Sequence, residues 1–169
     1  QLVSEYMVTN KDETLETEIA HLLIQQKATL ALAESCTGGY ISHLITSIPG
    51  SSAYFNGGVV SYSNTVKEEV LSVNTEVLEQ YGAVSEAVAR EMMTGVLSKL
   101  KATYAVAVTG IMGPGGGSAE KPVGTVWIAV GNASDIRTRE LNLRFDRQRN
   151  IQLTAMHALN MLRKFMLGK

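Results

Sequence analysis

The sequence has few of the residues on which several common protein classes depend. It contains one cysteine, three histidines and three prolines. A single cysteine excludes an internal disulfide framework and suits a reducing, cytoplasmic compartment. The net charge of −1, from 15 basic and 16 acidic residues, gives no electrostatic basis for binding nucleic acid. With so few clustered ligand residues, neither a metal site nor a bound cofactor is expected.

Long hydrophobic runs are absent as well. No segment approaches the roughly 18–20 apolar residues of a membrane span, and no signal-peptide pattern opens the chain, so we expect no membrane partner. The hydrophobic content of 45% is nevertheless that of a globular protein, and 169 residues suffice for one ordinary core. The first residue is Gln1, which is compatible with a piece of a longer protein.

Apolar periodicity predicts helices and strands in the order α-β-α-β-α-α-α-β-β-β-α. The predicted strands cover residues 29–33, 58–62, 104–108, 123–130 and 136–143. The predicted helices cover residues 12–26, 40–48, two pieces of 65–81, 86–100 and 147–167. Strands separated by helices pair in parallel through right-handed crossovers, and the last two strands form a hairpin. We therefore predict an α/β fold, a three-layer α/β/α sandwich with a mixed, mostly parallel five-stranded sheet. Residues 1–11 are expected to be a tail or linker remnant, and 12–169 the domain.

Three polar or glycine-rich segments follow three of the predicted strands. They are residues 34–39, 62–67 and 109–117. Ligands of such sheets bind beyond the carboxyl ends of the strands. One site formed by all three segments is therefore expected.

The first segment is the turn Glu34-Ser35-Cys36-Thr37-Gly38-Gly39. A strand that turns into a helix in this way exposes a hydroxyl beside free helix N–H groups, which favour a phosphate or a developing oxyanion. Ser35 is then a candidate nucleophile. The alternative is that Ser35 and Thr37 only cap the helix.

Cys36 is a rival nucleophile, because a helix N-terminus can lower the pKa of a thiol. A cysteine nucleophile usually works with a histidine base. The three histidines, His21, His43 and His157, all fall in predicted helices away from the strand ends. This placement favours Ser35 over Cys36 and requires a base of another type.

The second segment supplies a candidate base in Lys67. Lysine can accept a proton when burial or a neighbouring positive charge lowers its pKa. Tyr62 precedes it by five positions, and a tyrosine hydroxyl can relay a proton or orient the lysine. The alternative is a solvated lysine in the early turns of a helix.

The third segment is the glycine-rich stretch that begins at Thr109. Its backbone amides can form a cradle for phosphate or ribose, or the stretch can be a flexible loop. Lys121 follows it and can face an anion at the mouth of the loop. One of Arg147, Arg149 and Asn150, at the start of the last helix, can reach the site or a subunit interface, the alternative being a solvated helix start.

Taken together, these segments resemble the C-terminal domain of the competence-damage-inducible protein (CinA) family. The resemblance runs from about residue 15 to the C-terminus and rests on six blocks in the same order. They are Ala-Glu-Ser-Cys-Thr-Gly-Gly at 33–39, Pro-Gly-Ser-Ser at 49–52, Tyr-Ser-Asn at 62–64 with Lys67, Gly-Ala-Val-Ser at 82–85, Thr-Gly-Ile at 109–111 with Gly-Pro at 113–114, and Lys-Pro-Val-Gly-Thr-Val at 121–126.

The resemblance implies a nicotinamide-nucleotide amidohydrolase, which converts nicotinamide mononucleotide to nicotinate mononucleotide and ammonia in pyridine nucleotide salvage. It implies no metal, and self-association with a dimer favoured. By position, Ser35 corresponds to the nucleophile, Lys67 to its general base and Tyr62 to the supporting third member. The implied substrate-binding residues are Glu34, Cys36, Thr37, Gly38, Gly39, Asn64, Thr109, Gly110, Gly113, Lys121 and Arg147.

The sequence departs from the family pattern at two places. Met112 stands where the family usually has alanine, which we expect to narrow the pocket, and Phe145 stands at a glycine position before Arg147. Full-length members of the family also carry an upstream domain linked to nucleotide pyrophosphatase activity. The competing hypothesis is a module that binds a pyridine nucleotide without turning it over.

Overall fold

A computed structural model describes residues 13–169 of the chain, so the predicted tail at 1–11 lies outside the described residues. One five-stranded sheet has the strand order β2-β1-β3-β4-β5. The strands are β1 (Leu30–Glu34), β2 (Phe55–Val60), β3 (Tyr104–Gly110), β4 (Thr125–Gly131) and β5 (Ile136–Asn142). β1 pairs in parallel with β2 and β3, whereas β4 is antiparallel to both of its neighbours. Four strands therefore run in one direction and β4 in the other.

Helices cover both faces of the sheet, which confirms the predicted three-layer sandwich. They are α1 (Leu15–Gln26), α2 (Tyr40–Thr46), α3 (Asn64–Leu71), α4 (Thr75–Tyr81), α5 (Glu86–Lys99) and α6 (Arg147–Met166). Buried side chains of α1, α2 and α6 share one core with the sheet, and those of α3, α4 and α5 share the other.

The strand sequences assign the two faces. Successive side chains of a strand point to opposite faces of its sheet. In β1, Leu30 and Leu32 enter the core with α1 and α6, while Ala31 and Ala33 enter the core with α5. The central strand β3 repeats this pattern with valines on the first face and alanines on the second. The small residues leave room for α5 to pack closely on the sheet.

Most helices among the described residues begin at a polar residue whose side chain accepts a backbone N–H of the first turn. The capping residues are Thr14, Ser63, Asn74, Ser85 and Asp146. Such a cap satisfies one of the N–H groups that the helix leaves without a partner. The exception is α2, which begins after Gly39 without a side-chain cap from that residue.

Several boundaries differ from the prediction by one or two residues, and the starts of two elements differ by three. The second strand runs from Phe55 to Val60 and not over 58–62, because Phe55 and the glycines after it pair with β1. The chain then leaves the sheet so that Ser63 can cap α3. Tyr62 therefore lies in the loop after the strand. The first helix begins at Leu15 and not at 12, because Thr14 caps it.

The crossing of α3 over α5 is unusually close. A Cβ atom placed on Gly95 of α5 would lie 1.9 Å from the backbone oxygen of Leu71 at the end of α3. Only glycine permits this approach. The position of α3, which carries Lys67 in its first turn, therefore depends on the absence of a side chain at residue 95.

Within residues 13–169, no helix has both the length and the apolar character needed to cross a membrane.

Candidate active site

A cavity of about 280 Å³ lies at the carboxyl end of β1 and β3, where the three predicted segments meet. Its wall is completed by the turn before α5 and by the start of α6. The lining residues are Ser35, Cys36, Tyr62, Asn64, Lys67, Ala83, Val84, Thr109, Gly110, Ile111, Met112, Gly113, Gly115, Gly116 and Arg147. This location is the usual ligand site of an α/β sheet.

Ser35 and Lys67 form a buried pair at the base of the cavity. Lys67 Nζ lies 3.1 Å from Ser35 Oγ and donates to the backbone oxygen of Ser61 at 2.7 Å. The lysine side chain is 1% exposed, and no carboxylate is among its hydrogen-bond partners. Burial lowers the pKa of Lys67, because removing the ammonium from water penalises the charged form. A lowered pKa favours the neutral amine, and a neutral lysine can accept a proton from an adjacent hydroxyl.

Ser61 connects the two chain segments that supply this pair. Its backbone N–H donates to the oxygen of Glu34 at 2.8 Å, and its own oxygen accepts from Lys67. The β1 turn and the β2–α3 loop are thus joined at a residue that is fully buried. The Ser35–Lys67 distance is therefore fixed by the backbone of both segments.

Glu34 lies behind the cavity and not in its lining. Its carboxylate accepts hydrogen bonds from the Thr37 hydroxyl at 2.7 Å, from the Ile41 N–H at 2.8 Å, and from both the N–H and the hydroxyl of Ser42. It therefore caps α2 in place of Gly39. Because its oxygens already accept four hydrogen bonds, Glu34 shapes the turn around Ser35 and lies outside the cavity lining.

Cys36 faces the cavity, but its thiol is a poor nucleophile. Burial raises the pKa of Cys36 to about 12, so the side chain is a neutral thiol at neutral pH. The backbone N–H groups of Cys36 and Thr37 donate to no backbone acceptor within residues 13–169. This stretch therefore offers N–H groups beside Ser35, and its thiol offers little reactivity.

Tyr62 contacts the two charged residues of the site through different atoms. Its backbone oxygen lies 3.4 Å from Lys67 Nζ, whereas its hydroxyl accepts a hydrogen bond from Arg147 at 3.2 Å. The side chain is 62% exposed. Arg147 also donates to the backbone oxygen of Gly113 at 2.8 Å. The Tyr62 hydroxyl therefore joins the β2–α3 loop to the start of α6, and does not orient Lys67.

The glycine-rich segment is anchored at two points in its first half. The Thr109 hydroxyl donates to the backbone oxygen of Ala83, which brings the turn before α5 into the wall. Three residues further on, Asn150 of α6 donates to the backbone oxygen of Met112 at 3.1 Å. Sequence reasoning did not assign Ala83 to the cavity wall, although the block at 82–85 was a usable signal for it. It named Arg147, Arg149 and Asn150 as residues of which one could reach the site, and Arg147 is the one that lines the cavity.

Several residues predicted to bind substrate lie outside the lining. Thr37, Gly38 and Gly39 form the turn behind Ser35. Lys121 donates to the backbone oxygen of Tyr81 and lines a different depression, so its ammonium ties the end of the glycine-rich segment to α4. The predicted residues in the lining are Ser35, Cys36, Tyr62, Asn64, Lys67, Thr109, Gly110, Gly113 and Arg147.

A larger cavity of about 510 Å³ lies between α3 and α5 and is lined by none of these residues. It holds no pair comparable to Ser35 and Lys67. Among the described residues, no three His, Cys, Asp or Glu side chains are grouped so that they could hold a metal ion. The smaller cavity is therefore the one with recognisable chemistry.

Fold and site together define a three-layer α/β/α protein with a buried serine–lysine pair at the carboxyl edge of its sheet. The family model described as the CinA C-terminal domain matches residues 12–166, and the chain belongs to the CinA family.

Relatives and solved structures agree with this assignment. A CinA-like protein of Amoebophilus asiaticus is 50% identical over 99% of this chain and 40% of its own length. A putative competence-damage inducible protein of Acetivibrio thermocellus is 46% identical over 98% of this chain and 40% of its own length. The chain thus spans about 40% of the length of these curated relatives. The crystal structure of a competence damage-inducible protein A from Klebsiella pneumoniae superimposes with a TM-score of 0.86 at 35% identity, covering 89% of this chain and 93% of that one.

Proposed function

We propose that this domain is an amidohydrolase that converts nicotinamide mononucleotide to nicotinate mononucleotide and ammonia in pyridine nucleotide salvage. The supporting observation is the 3.1 Å approach of Lys67 Nζ to Ser35 Oγ, at a lysine whose burial lowers its pKa. A serine with an adjacent neutral amine is an activated nucleophile. The substrate itself is suggested by the family resemblance.

In the proposed reaction, neutral Lys67 accepts the Ser35 proton while Oγ attacks the carboxamide carbon. The carbonyl oxygen becomes an oxyanion, for which we assign the N–H groups of Cys36 and Thr37, because they follow the nucleophile directly. Lys67 then returns the proton to the leaving nitrogen, and ammonia departs. A water molecule, deprotonated in turn by Lys67, hydrolyses the acyl ester and restores Ser35.

We assign the nucleotide part of the substrate to the opposite wall. The backbone amides at Gly113, Gly115 and Gly116 can donate to phosphate or ribose, and Arg147 supplies the cationic group of the lining. Tyr62 then acts on the substrate through Arg147. The predicted role of its hydroxyl beside Lys67 is replaced here by one in positioning.

The alternative is a pyridine-nucleotide-binding module without turnover. A binding module has no use for a lysine buried against a serine hydroxyl, since burial of a cation costs stability. The pair therefore favours the enzyme.

The test is ammonia release from nicotinamide mononucleotide, nicotinamide and glutamine, offered separately. We expect release from the mononucleotide, and loss of it in Ser35→Ala and in Lys67→Met. The exposed Lys164 provides a matched control as Lys164→Met. Binding of the mononucleotide without ammonia would favour the sensing module. Turnover that survives both active-site replacements would exclude the serine–lysine mechanism.

The longer proteins to which this domain is similar carry further sequence, so a second activity of the whole protein is a separate proposal. We also propose that the protein forms a homodimer and is located in the cytoplasm. Gel filtration coupled to light scattering measures the number of subunits.

A further inference from the structure

Asn150 is a fully buried polar side chain outside the proposed reaction. It lies in the first turn of α6. Its Nδ2 donates to the backbone oxygens of Met112 at 3.1 Å and of Phe145 at 2.9 Å, and its Oδ1 accepts from the Phe145 N–H at 3.3 Å. Both donors and the acceptor of the amide are therefore in use. Only a side-chain amide offers this combination at this size.

The contacts of Asn150 join the glycine-rich segment to α6. Met112 belongs to that segment, and Phe145 directly precedes the helix. Arg147 lies three residues before Asn150 and donates to the backbone oxygen of Gly113, the residue that follows Met112. Two side chains of α6 thus hold consecutive carbonyl groups of the segment. The stretch Met112–Gly113 will be called the shared wall.

The shared wall separates two cavities. On one side is the catalytic cavity, and on the other is a second cavity of about 430 Å³ lined by Pro114, Val123 and Phe145, among others. Met112, Gly113 and Arg147 line both. The Met112 side chain is itself buried. A shift of this wall would therefore change the volume of the catalytic cavity directly.

We infer that Asn150 is a positioning residue that fixes the shared wall, and through it the fit of the substrate in the catalytic cavity. This inference rests on the proposed amidohydrolase function. No hydrogen bond links Asn150 to Ser35 or Lys67, so its replacement leaves the reacting pair in place. The effect belongs to substrate binding, and KM changes while kcat is largely retained.

The test compares Asn150→Ala and Asn150→Leu with the unmodified protein. Loss of the amide removes the donor of the buried Met112 carbonyl and of the partly buried Phe145 carbonyl. We therefore expect KM for nicotinamide mononucleotide to rise about tenfold or more in both variants. Because leucine restores the volume but not the hydrogen bonds, a rise in both variants assigns the effect to the amide. If either variant fails to fold, Asn150→Ser retains one donor and is expected to give an intermediate KM.

Thr154 provides the matched control. It is fully buried one turn further along α6, and its hydroxyl donates only to the backbone oxygen of Asn150. Thr154→Val should lower the melting temperature without changing KM. If Asn150→Ala and Asn150→Leu also lower the melting temperature without changing KM, the role of Asn150 is purely structural and the inference is overturned. An equal loss of kcat and kcat/KM would also overturn it.

Calorimetric titration with nicotinamide mononucleotide separates this inference from the proposed function. An unmodified protein that binds the nucleotide but releases no ammonia would exclude the amidohydrolase, while weaker binding in the Asn150 variants would still support the positioning role. Normal turnover with unchanged KM and Kd in those variants would exclude the positioning role alone. Absence of both binding and turnover in the unmodified protein would exclude both.

Discussion

The hydroxyl of Tyr62 accepts a hydrogen bond from the guanidinium of Arg147 at 3.2 Å, at the edge of the cavity. The same tyrosine contacts Lys67 only through its backbone oxygen. Sequence reasoning expected the hydroxyl to relay a proton for Lys67 or to orient it, whereas the structure places it on Arg147. A change that removes only the hydroxyl therefore tests its role.

Tyr62→Phe removes the hydroxyl and leaves the backbone oxygen on Lys67. We expect KM for the nucleotide to rise several-fold, while kcat stays within about threefold of the original, because proton transfer between Ser35 and Lys67 is untouched. Steady-state kinetics at saturating substrate distinguish the two parameters. A fall in kcat of about a hundredfold would instead show that the hydroxyl takes part in proton transfer.

The link to Arg147 can be isolated by a double-mutant cycle. Tyr62→Phe and Arg147→Lys each break the same hydrogen bond, so their effects on KM should not add. Strictly additive effects would mean that the two side chains act on the substrate independently.

The lowered pKa of Lys67 predicts how the proposed activity depends on pH. Burial lowers the pKa of its ammonium below the ordinary value of 10.5, and the neutral amine is the proposed base. The rate constant kcat/KM should therefore rise with pH through this lowered pKa and level off above it. A profile of kcat/KM from pH 6 to pH 10 provides the measurement. A rate that falls over this range would contradict a lysine base.

The same shift predicts how stability depends on pH. Below its lowered folded pKa, Lys67 is protonated in both states, and its burial destabilises the fold fully. Between that pKa and 10.5 the unfolded chain binds more protons, so the free energy of unfolding rises with pH. Lys67→Met should remove this rise, whereas the exposed Lys164→Met should retain it. Urea denaturation at several pH values tests this, and an unchanged slope in Lys67→Met would contradict it.

Cys36 offers a direct test of which side chain is the nucleophile. Its pKa of about 12 leaves almost no thiolate at neutral pH. Cys36→Ala retains the backbone N–H, and we expect turnover within about threefold of the original, compared with near-complete loss in Ser35→Ala. Native protein should also react slowly with a maleimide. Loss of activity in Cys36→Ala equal to that in Ser35→Ala would restore cysteine as a candidate.

Glu34→Gln is expected to disturb the turn without removing any lining residue. The amide replaces one acceptor oxygen by a donor that faces the N–H groups of α2 or the hydroxyl groups of Thr37 and Ser42. We expect a loss of about 1–3 kcal/mol in the free energy of unfolding, together with a lower kcat as Ser35 moves. Chemical denaturation and kinetics measure the two effects. Ser42→Ala, which removes only one side-chain donor, should give a smaller loss, and an unaltered Glu34→Gln would exclude this role.

The order of elements and the meeting of three loops could be predicted because both follow from local patterns. The alternation of leucine and alanine along β1 and the cap at Ser63 are properties of neighbouring residues. Membership of the cavity wall is different, because it depends on contacts across the chain. Asn150 reaches Met112 only because α6 packs against the glycine-rich segment, and no spacing within either segment encodes that contact.

Glu34 illustrates the same limit at short range. A carboxylate in a glycine-containing turn is compatible with ligand contact or with helix capping. The structure shows helix capping, because the N-cap residue of α2 is Gly39, which has no side-chain acceptor. Once Glu34 supplies that acceptor, its oxygens are no longer free for a substrate.

The close crossing of α3 and α5 requires glycine at position 95, although this residue does not line the catalytic cavity. A single methyl group at this position would overlap the Leu71 carbonyl and push α3 outward, together with the lysine in its first turn. A substitution there is therefore expected to displace Lys67 and to impair the proposed reaction, although every residue of the cavity lining is unchanged. We expect a substitution at position 95 to reduce the proposed activity as strongly as a substitution at Ser35.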